Sequence, residues 1–556
     1  MKYKTYSLLF IIIFVTCTAS AKPRSLQQLK AIAARQLASM PGAKGMHAPQ
    51  EMELTTLQAL SDLTVIGNKQ GGFVVLANDD AIDPVMGVSA NAFSADPQSN
   101  PAFYWYLRAA NAATAAHTAA QETYLANVAP KAPFSSYVEP LIKTKWHQEA
   151  PFNNDVQKDP NGNPYLVGCV AIAMTQIMRY HSHPAVGTGS NSYTMNGETL
   201  SADFSSIPYQ WDKMRETYTK GQYTDEEAKI VSELMRQAGI AVNMDYKQGR
   251  SSSYTQNAQN ALITNFNYNP NLSRYTRDYY SEEEWMNMVF KELTARRPIY
   301  YSGADAKWEN GHAFVIDGYQ QDGKVHINWG WGGNDDGYYN IGILTPEHSD
   351  YSYYQDMIVG IQPEAEGQWT SHVVLAHDNE LSIKKFSKST ISVADIKVWN
   401  VSSSTLTGKL SLVIEGNGEL RDLVKIDYNA DDNYWYSYSW QRITIPTDLP
   451  DGDYKIYLRF KDNRDADWQI VRAEYGKANS ATVNIADGTF TVTGTQTDYG
   501  WVTAVKAPRT AAGQLLSVYD LQGRKIDPNH PDCLSRQGSH GIYIVRDRNG
   551  VRKVMR

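Results

Sequence analysis

Gly168-Cys169-Val170-Ala171-Ile172-Ala173-Met174 opens an apolar run in which Val170, Ala173, Met174 and Ile177 share one helical face. That spacing puts Cys169 at the N-terminus of a helix. There the partial positive charge favours a thiolate, and backbone N–H groups point outward. Gly168, just before it, allows another chain to come close. A lone cysteine is more often a buried, inert one. A partner for the thiol must decide between the two readings.

A thiol nucleophile needs an imidazole, and the chain offers 12 histidines. Position singles out His312. It lies in Gly311-His312-Ala313-Phe314-Val315-Ile316-Asp317-Gly318-Tyr319, a strand that is apolar after the histidine. Asp322-Gly323 then makes a turn, Lys324 to Asn328 reads as a second strand, and Trp329-Gly330-Trp331-Gly332-Gly333 follows. A hairpin sets the start of the first strand against the end of the second, which predicts Asn328 and Trp329 beside His312. The Asn328 oxygen would accept the imidazole N–H and hold the ring towards the thiol, and Trp329 would shield that bond from water. His312 lies 143 residues after Cys169, and Asn328 lies 159 after it. Papain-like proteases place these partners about 130–150 residues downstream of the cysteine.

The rest of the chain sets limits. Its 556 residues predict three or four domains. The net charge of −7 argues against nucleic acid as a partner, because phosphate neutralisation needs concentrated positive charge. Apolar residues at 42% and charged ones at 20% suit a chain with sizeable cores. Three cysteines, at 17, 169 and 533, exclude a disulfide-stapled scaffold and a Cys₄ metal centre. Lys2 and Lys4, the apolar run Leu8 to Val15 and Ala19-Ser20-Ala21 form a secretory signal peptide over 1–21, too short for a membrane span. Lipoprotein cleavage before Cys17 is the weaker alternative, given Val15-Thr16 ahead of it. The protein is therefore expected to be secreted or at the cell surface.

Four regions follow the signal. Residues 25–40 and 101–127 read as helices, with strands at 71–77 and 85–88 between them. Pro130 and Pro133 mark a linker at 128–137. A mixed α+β region spans 136–365. From 366 to 490, short β-type runs and turns such as Leu449-Pro450-Asp451-Gly452-Asp453 predict a β-sandwich. Residues 500–556 form a small β segment. There are no internal repeats, low-complexity tracts or heptads. His181 with His183 has no acidic or Cys partner nearby for a metal, and Asn334-Asp335-Asp336-Gly337 lacks the distal Glu and alternating ligands of a calcium loop and reads as a turn. No cofactor is expected.

Gly168-Cys169-Val170-Ala171 with Tyr180-His181 and Pro184, the His312 strand and the Asn328-Trp329-Gly330-Trp331-Gly332-Gly333 block together resemble the signature blocks of the streptopain family of cysteine peptidases. The resemblance implies a papain-like peptidase domain with Cys169 as nucleophile and His312 as general base and acid. Asn328 and Trp329 match the residues that orient and cover the histidine. Trp146-His147-Gln148 with Pro151-Phe152-Asn153 is similar to the family's oxyanion segment, which implies that Gln148 donates to the oxyanion. Phe152 stands where the family usually has tyrosine. Gly71 to Asp79 and Val85 to Ser89 resemble the family's pro-region, so 22–135 would be an inhibitory α/β propeptide acting within the chain. Val518 to Arg524 and Gly541 to Val545 resemble a type IX secretion sorting domain, implying contact with outer-membrane secretion machinery. Protein or peptide substrates follow from the peptidase reading. Two rivals use the same residues: an adhesin on an inactive peptidase scaffold, and a thiol acyltransferase. The intact set of Cys169, His312, Asn328 and Gln148 argues against the first. The Trp-Gly-Trp-Gly-Gly block and the pro-region argue against the second.

Overall fold

The computed structural model describes residues 22–497 apart from 41–52, 69–70, 121–127, 308–310, 345–352, 364–370, 376–379, 403, 433 and 475–476, and four strands beyond residue 516. The expected signal peptide, Cys17 and Cys533 lie outside the described residues.

The N-terminal region begins with helix α1 (Leu26–Ala38), where Ser25 and Gln28 cap each other's backbone N–H groups. Strands β1 (Thr55–Ala59), β2 (Leu63–Gly67), β3 (Phe73–Ala77) and β4 (Val85–Ser89) follow. Helix α2 (Pro101–Ala119) comes next, opened by an Asn100 side-chain cap with proline at its first position. Every residue of β2, β3 and β4 is buried, because α1 covers one face and α2 the other. β3, β4 and α1 match the sequence reading; α2 ends at Ala119, and residues 121–127 of the expected 101–127 helix lie outside the described residues; β1 and β2 are additional.

The mixed region supplies α3 (Cys169–His181), the hairpin β5 (Ser190–Met195) and β6 (Glu198–Asp203), and α4 (Asp225–Ala241). A second hairpin of β7 (Asp245–Lys247) and β8 (Arg250–Ser252) leads to α5 (Thr255–Thr264), β9 (Ser273–Thr276) and α6 (Glu282–Thr294). Then come β10 (Ile299–Ala304), β11 (His312–Tyr319), β12 (Val325–Asn328), β13 (Gly337–Tyr339) and β14 (Tyr353–Val359). One ten-stranded antiparallel sheet runs β1-β2-β3-β4-β13-β12-β11-β10-β14-β9. The N-terminal region therefore does not stand apart. Its last strand pairs with the mixed region, Val88 opposite Tyr338 and Gly87 opposite Tyr339.

Two cores lie on the two faces of this sheet. Ala313 and Val315 of β11 bury against α3, α4 and α5, while Phe314 and Ile316 bury against α2 and α6. The strand's period of two thus assigns each residue to one core.

The C-terminal region is all β. It contains β15 (Val373–Leu375), β16 (Ile383–Lys385), β17 (Thr390–Asn400), β18 (Leu406–Gly416), β19 (Glu419–Ala430), β20 (Trp435–Thr444), β21 (Gly452–Asp462), β22 (Gln469–Ile470), β23 (Ser480–Ala486) and β24 (Thr489–Gln496). These form two antiparallel sheets. β17 carries β15 and β16 along one edge and β20 along the other; the second sheet runs β19-β18-β21-β23-β24, with β22 beside β21. The region is docked on the mixed one by Arg472, which pairs with Glu284 at 2.8 Å and donates to the Tyr279 carbonyl. A separate unit, 500–556, contains β25 (Ser517–Tyr519), β26 (Lys525–Ile526), β27 (Ile542–Asp547) and β28 (Gly550–Met555), in the order β26-β25-β27-β28.

Candidate active site

Cys169 is the first residue of α3, as its sequence context predicts, and is a free thiol. Gly168 precedes it at φ +96, and a Cβ there would lie 2.6 Å from the Met244 side chain. Glycine is required twice over, by backbone conformation and by space. The N–H groups of Ala313, Val170 and Cys169 itself favour the thiolate. Burial nevertheless wins and pushes the thiol above its ordinary value. The helix N-terminus favours the thiolate, as its sequence context predicts, but does not by itself outweigh burial.

Gln148 is buried beside Gly168, the residue before the thiol. Its side-chain oxygen accepts from the Gly168 N–H at 3.1 Å, and its carbonyl accepts from Val167. Trp146 and Phe152 pack close by, with ring centroids 5.9 Å apart and planes tilted by 45°. Phe152 thus fills an apolar slot and has no need of a hydroxyl.

Asn328 lies on this same face but away from His312. β12 ends opposite Val315, three residues short of the histidine. The Asn328 oxygen accepts from Gln176 of α3 at 3.0 Å and from the Gly330 N–H at 3.1 Å, and its NH₂ donates to the Thr144 carbonyl at 2.8 Å. The expected Asn328–imidazole bond is replaced by bonds that tie β12 to α3.

His312 begins β11 on the opposite face. It pairs with Gly303, where a Cβ would come within 2.3 Å of the Trp105 ring of α2. Paired residues share a sheet face, so His312 faces α2, not α3. Burial first, and then the Arg108 guanidinium of α2, lower the imidazole to about 4, with Asp305 opposing. Trp329 is also on this face, fully buried. Its ring lies 4.8 Å from Phe314 and 6.0 Å from both Phe103 and Tyr106 of α2. Its indole N–H donates to the Asp335 carbonyl.

Of the five sequence candidates, Cys169, Gln148 and Asn328 share one face, and His312 and Trp329 share the other. His326, by contrast, is locked to the buried Asp317 at 2.6 Å, which also accepts from the Ile142 N–H.

The peptidase C10 family model matches residues 146–339. Streptopain of Streptococcus pyogenes serotype M28 is 31% identical over 333 residues, covering 54% of this chain and 81% of streptopain. The chain belongs to the peptidase C10 family. The thiol protease/hemagglutinin PrtT of Porphyromonas gingivalis is 34% identical over 252 residues, 42% of this chain and 29% of PrtT. The solved prointerpain A fragment of Prevotella intermedia shares the fold at a TM-score of 0.51 and 33% identity, covering 56% of this chain and 99% of that one. This C10 peptidase is a cysteine-type endopeptidase with a papain-like fold.

Sequence reading of the C10 peptidase missed several site neighbours. Tyr300 is fully buried, and burial together with the charge of a nearby Cys169 thiolate raises its hydroxyl strongly. Asp335 gives both carboxylate oxygens to the N-terminal region: one accepts from the Ser94 N–H at 2.9 Å, the other from Asn100 Nδ2 at 3.1 Å. Asp336 bonds Lys145 at 2.7 Å and the Trp329 N–H at 3.0 Å. The Asn334-Asp335-Asp336 stretch is a turn, as expected, but one gripped by residues 89–100. Only a pattern linking residues over 230 positions apart could have revealed that.

Proposed function

We propose that the chain is a secreted cysteine endopeptidase made as a zymogen, with Cys169 as nucleophile and residues 22–135 as the inhibitor that keeps His312 on the wrong face of the sheet. The observation that carries the reading is the separation of Cys169 and His312 by β11, with α2 covering the histidine. In the active arrangement the start of β11 turns over, so that the imidazole reaches the thiol. Trp105, against Gly303, and Arg108, facing His312, support the view that α2 prevents this.

The chemistry then follows from the residues present. The Cys169–His312 ion pair supplies the cation that the buried thiol lacks. The thiolate attacks the scissile carbonyl. The developing oxyanion accepts from the Cys169 N–H and the Gln148 NH₂, the end of that amide not engaged with Gly168. His312 protonates the leaving amine, and water, deprotonated by His312, hydrolyses the thioester. Asn328 holds β12 against α3, and Trp329 covers the histidine strand.

Residues 1–21 act as the export signal, 366–490 as a β-sandwich, and 500–556 as a sorting domain for outer-membrane secretion machinery. Labelling with an epoxide-type thiol inhibitor tests the reading. The processed form should label at Cys169 rapidly and the full chain slowly. A processed form that is not labelled, yet still cleaves casein, sinks it.

A further inference from the structure

We propose that the aromatic row on β20 is an exosite for extended polypeptide, held at a fixed distance from Cys169; this rests on the peptidase reading above. Tyr436, Tyr438 and Trp440 pair with Val398, Ile396 and Val393 of β17, all three fully buried. Paired residues share a face, so an interior row of β17 continues sideways onto β20. There it opens to solvent: Tyr436 is 40% exposed, and Tyr434, just before the strand, 53%. Ring centroids follow one another at 5.2 Å from Tyr434 to Tyr436, 6.4 Å to Tyr438 and 5.4 Å to Trp440. Tyr428 of β19, buried, backs the row at 5.9 Å from Tyr436. Among the described residues, β20 pairs only with β17, so its other edge presents backbone N–H and C=O groups.

A chain of contacts connects this row to the thiol. Ala313 points its N–H at Cys169 and pairs with Ser302 on β10. The Ser302 hydroxyl lies 2.7 Å from that of Thr255, the first residue of α5. Gln256, next along, donates to Asp432, which also lies 4.0 Å from Arg274. Tyr434 stands two residues further. Tyr254, 67% exposed, marks the same end of α5. The Arg472–Glu284 pair fixes the two-sheet region to the peptidase, so the row keeps its place relative to Cys169.

The chemistry selects the occupant. Rings accept apolar side chains, and an edge strand accepts a peptide ladder. An extended polypeptide offers both and is the form in which a chain enters a protease cleft. A polysaccharide offers no amide ladder.

The test compares the self-processed wild type with a Tyr434→Ser/Tyr436→Ser double variant on a short fluorogenic peptide and on unfolded casein. The expected result is unchanged kinetics on the peptide and, on casein, a KM raised about tenfold with kcat unchanged. Equal KM on casein overturns the proposal. So does an unchanged casein KM with loss of retention on a polysaccharide gel, which would make the row a glycan site. Casein binding to the full-length Cys169→Ala chain, with and without the double substitution, reads the exosite separately from catalysis. Weaker binding in the triple variant supports it and equal binding overturns it, even if the wild type cleaves neither substrate and the peptidase reading fails.

Discussion

On one face of the ten-stranded sheet, Cys169, Gln148 and Asn328 are held by hydrogen bonds among α3, β12 and the segment at 144–148. On the other, His312 and Trp329 are held by rings and charge from α2. The first face is made by the peptidase for itself. The second is completed by a region outside residues 146–339, the span that the family model matches. A geometry built internally persists when the chain is cut; one completed by a neighbour lasts only as long as the neighbour stays.

The contrast can be broken in several ways. Cys169→Ala should remove activity by about 10⁴-fold or more, assayed on casein after processing in trans. Residual cleavage would mean that the thiol face is not the chemical one. Gln148→Ala should lower kcat by about 10²–10³-fold with little change in KM, since its NH₂ meets only the oxyanion; a pure KM effect would make Gln148 a binding residue. Asn100→Ala removes the cap of α2 and the bonds to Asn334 and Asp335. It should cost the latent form about 1–3 kcal/mol and speed inhibitor labelling of the full chain roughly tenfold.

The smallest effect concerns pH. The His312 pKa of about 4 lies below its unfolded value of ~6.5. Between those values the unfolded chain binds a proton that the fold refuses. Stability should therefore fall as pH drops from about 6.5 towards 4, by at most about 3 kcal/mol from this group. His181 and His372 are lowered by burial and act in the same direction. Urea midpoints of the Cys169→Ala chain at pH 7.5 and 5 should differ accordingly. The difference should shrink in the Arg108→Gln background, which leaves the other two histidines untouched.

Local pattern carried the sequence reading a long way. Helical spacing after Cys169 and the apolar run after His312 are short-range signals, and both elements stand where those signals put them. Once a strand is assumed, its period of two separates Ala313 and Val315 from Phe314 and Ile316. What it cannot say is which face meets α3, because that depends on the helices that cover each side. The Asn328 error is one of length: β12 stops three residues before it would reach His312. The union of β4 with β13 joins positions about 250 residues apart, and no window of sequence contains both.

That union has a consequence for the maturation proposed above, in which residues 22–135 are the inhibitor. A scissor cut in the linker at 128–137 leaves β4 still laced to β13 by sheet hydrogen bonds. Severing the inhibitor and shedding it are then two events, and the second requires unzipping a strand. Once β1 to β4 depart, β13, until then an interior strand, becomes the rim of the sheet, with a bare main chain turned towards whatever is nearby. The freed segment is the best-fitting piece to dock there again. A newly matured enzyme would therefore compete with its own discarded inhibitor until that segment is destroyed, and the enzyme itself is equipped to destroy it.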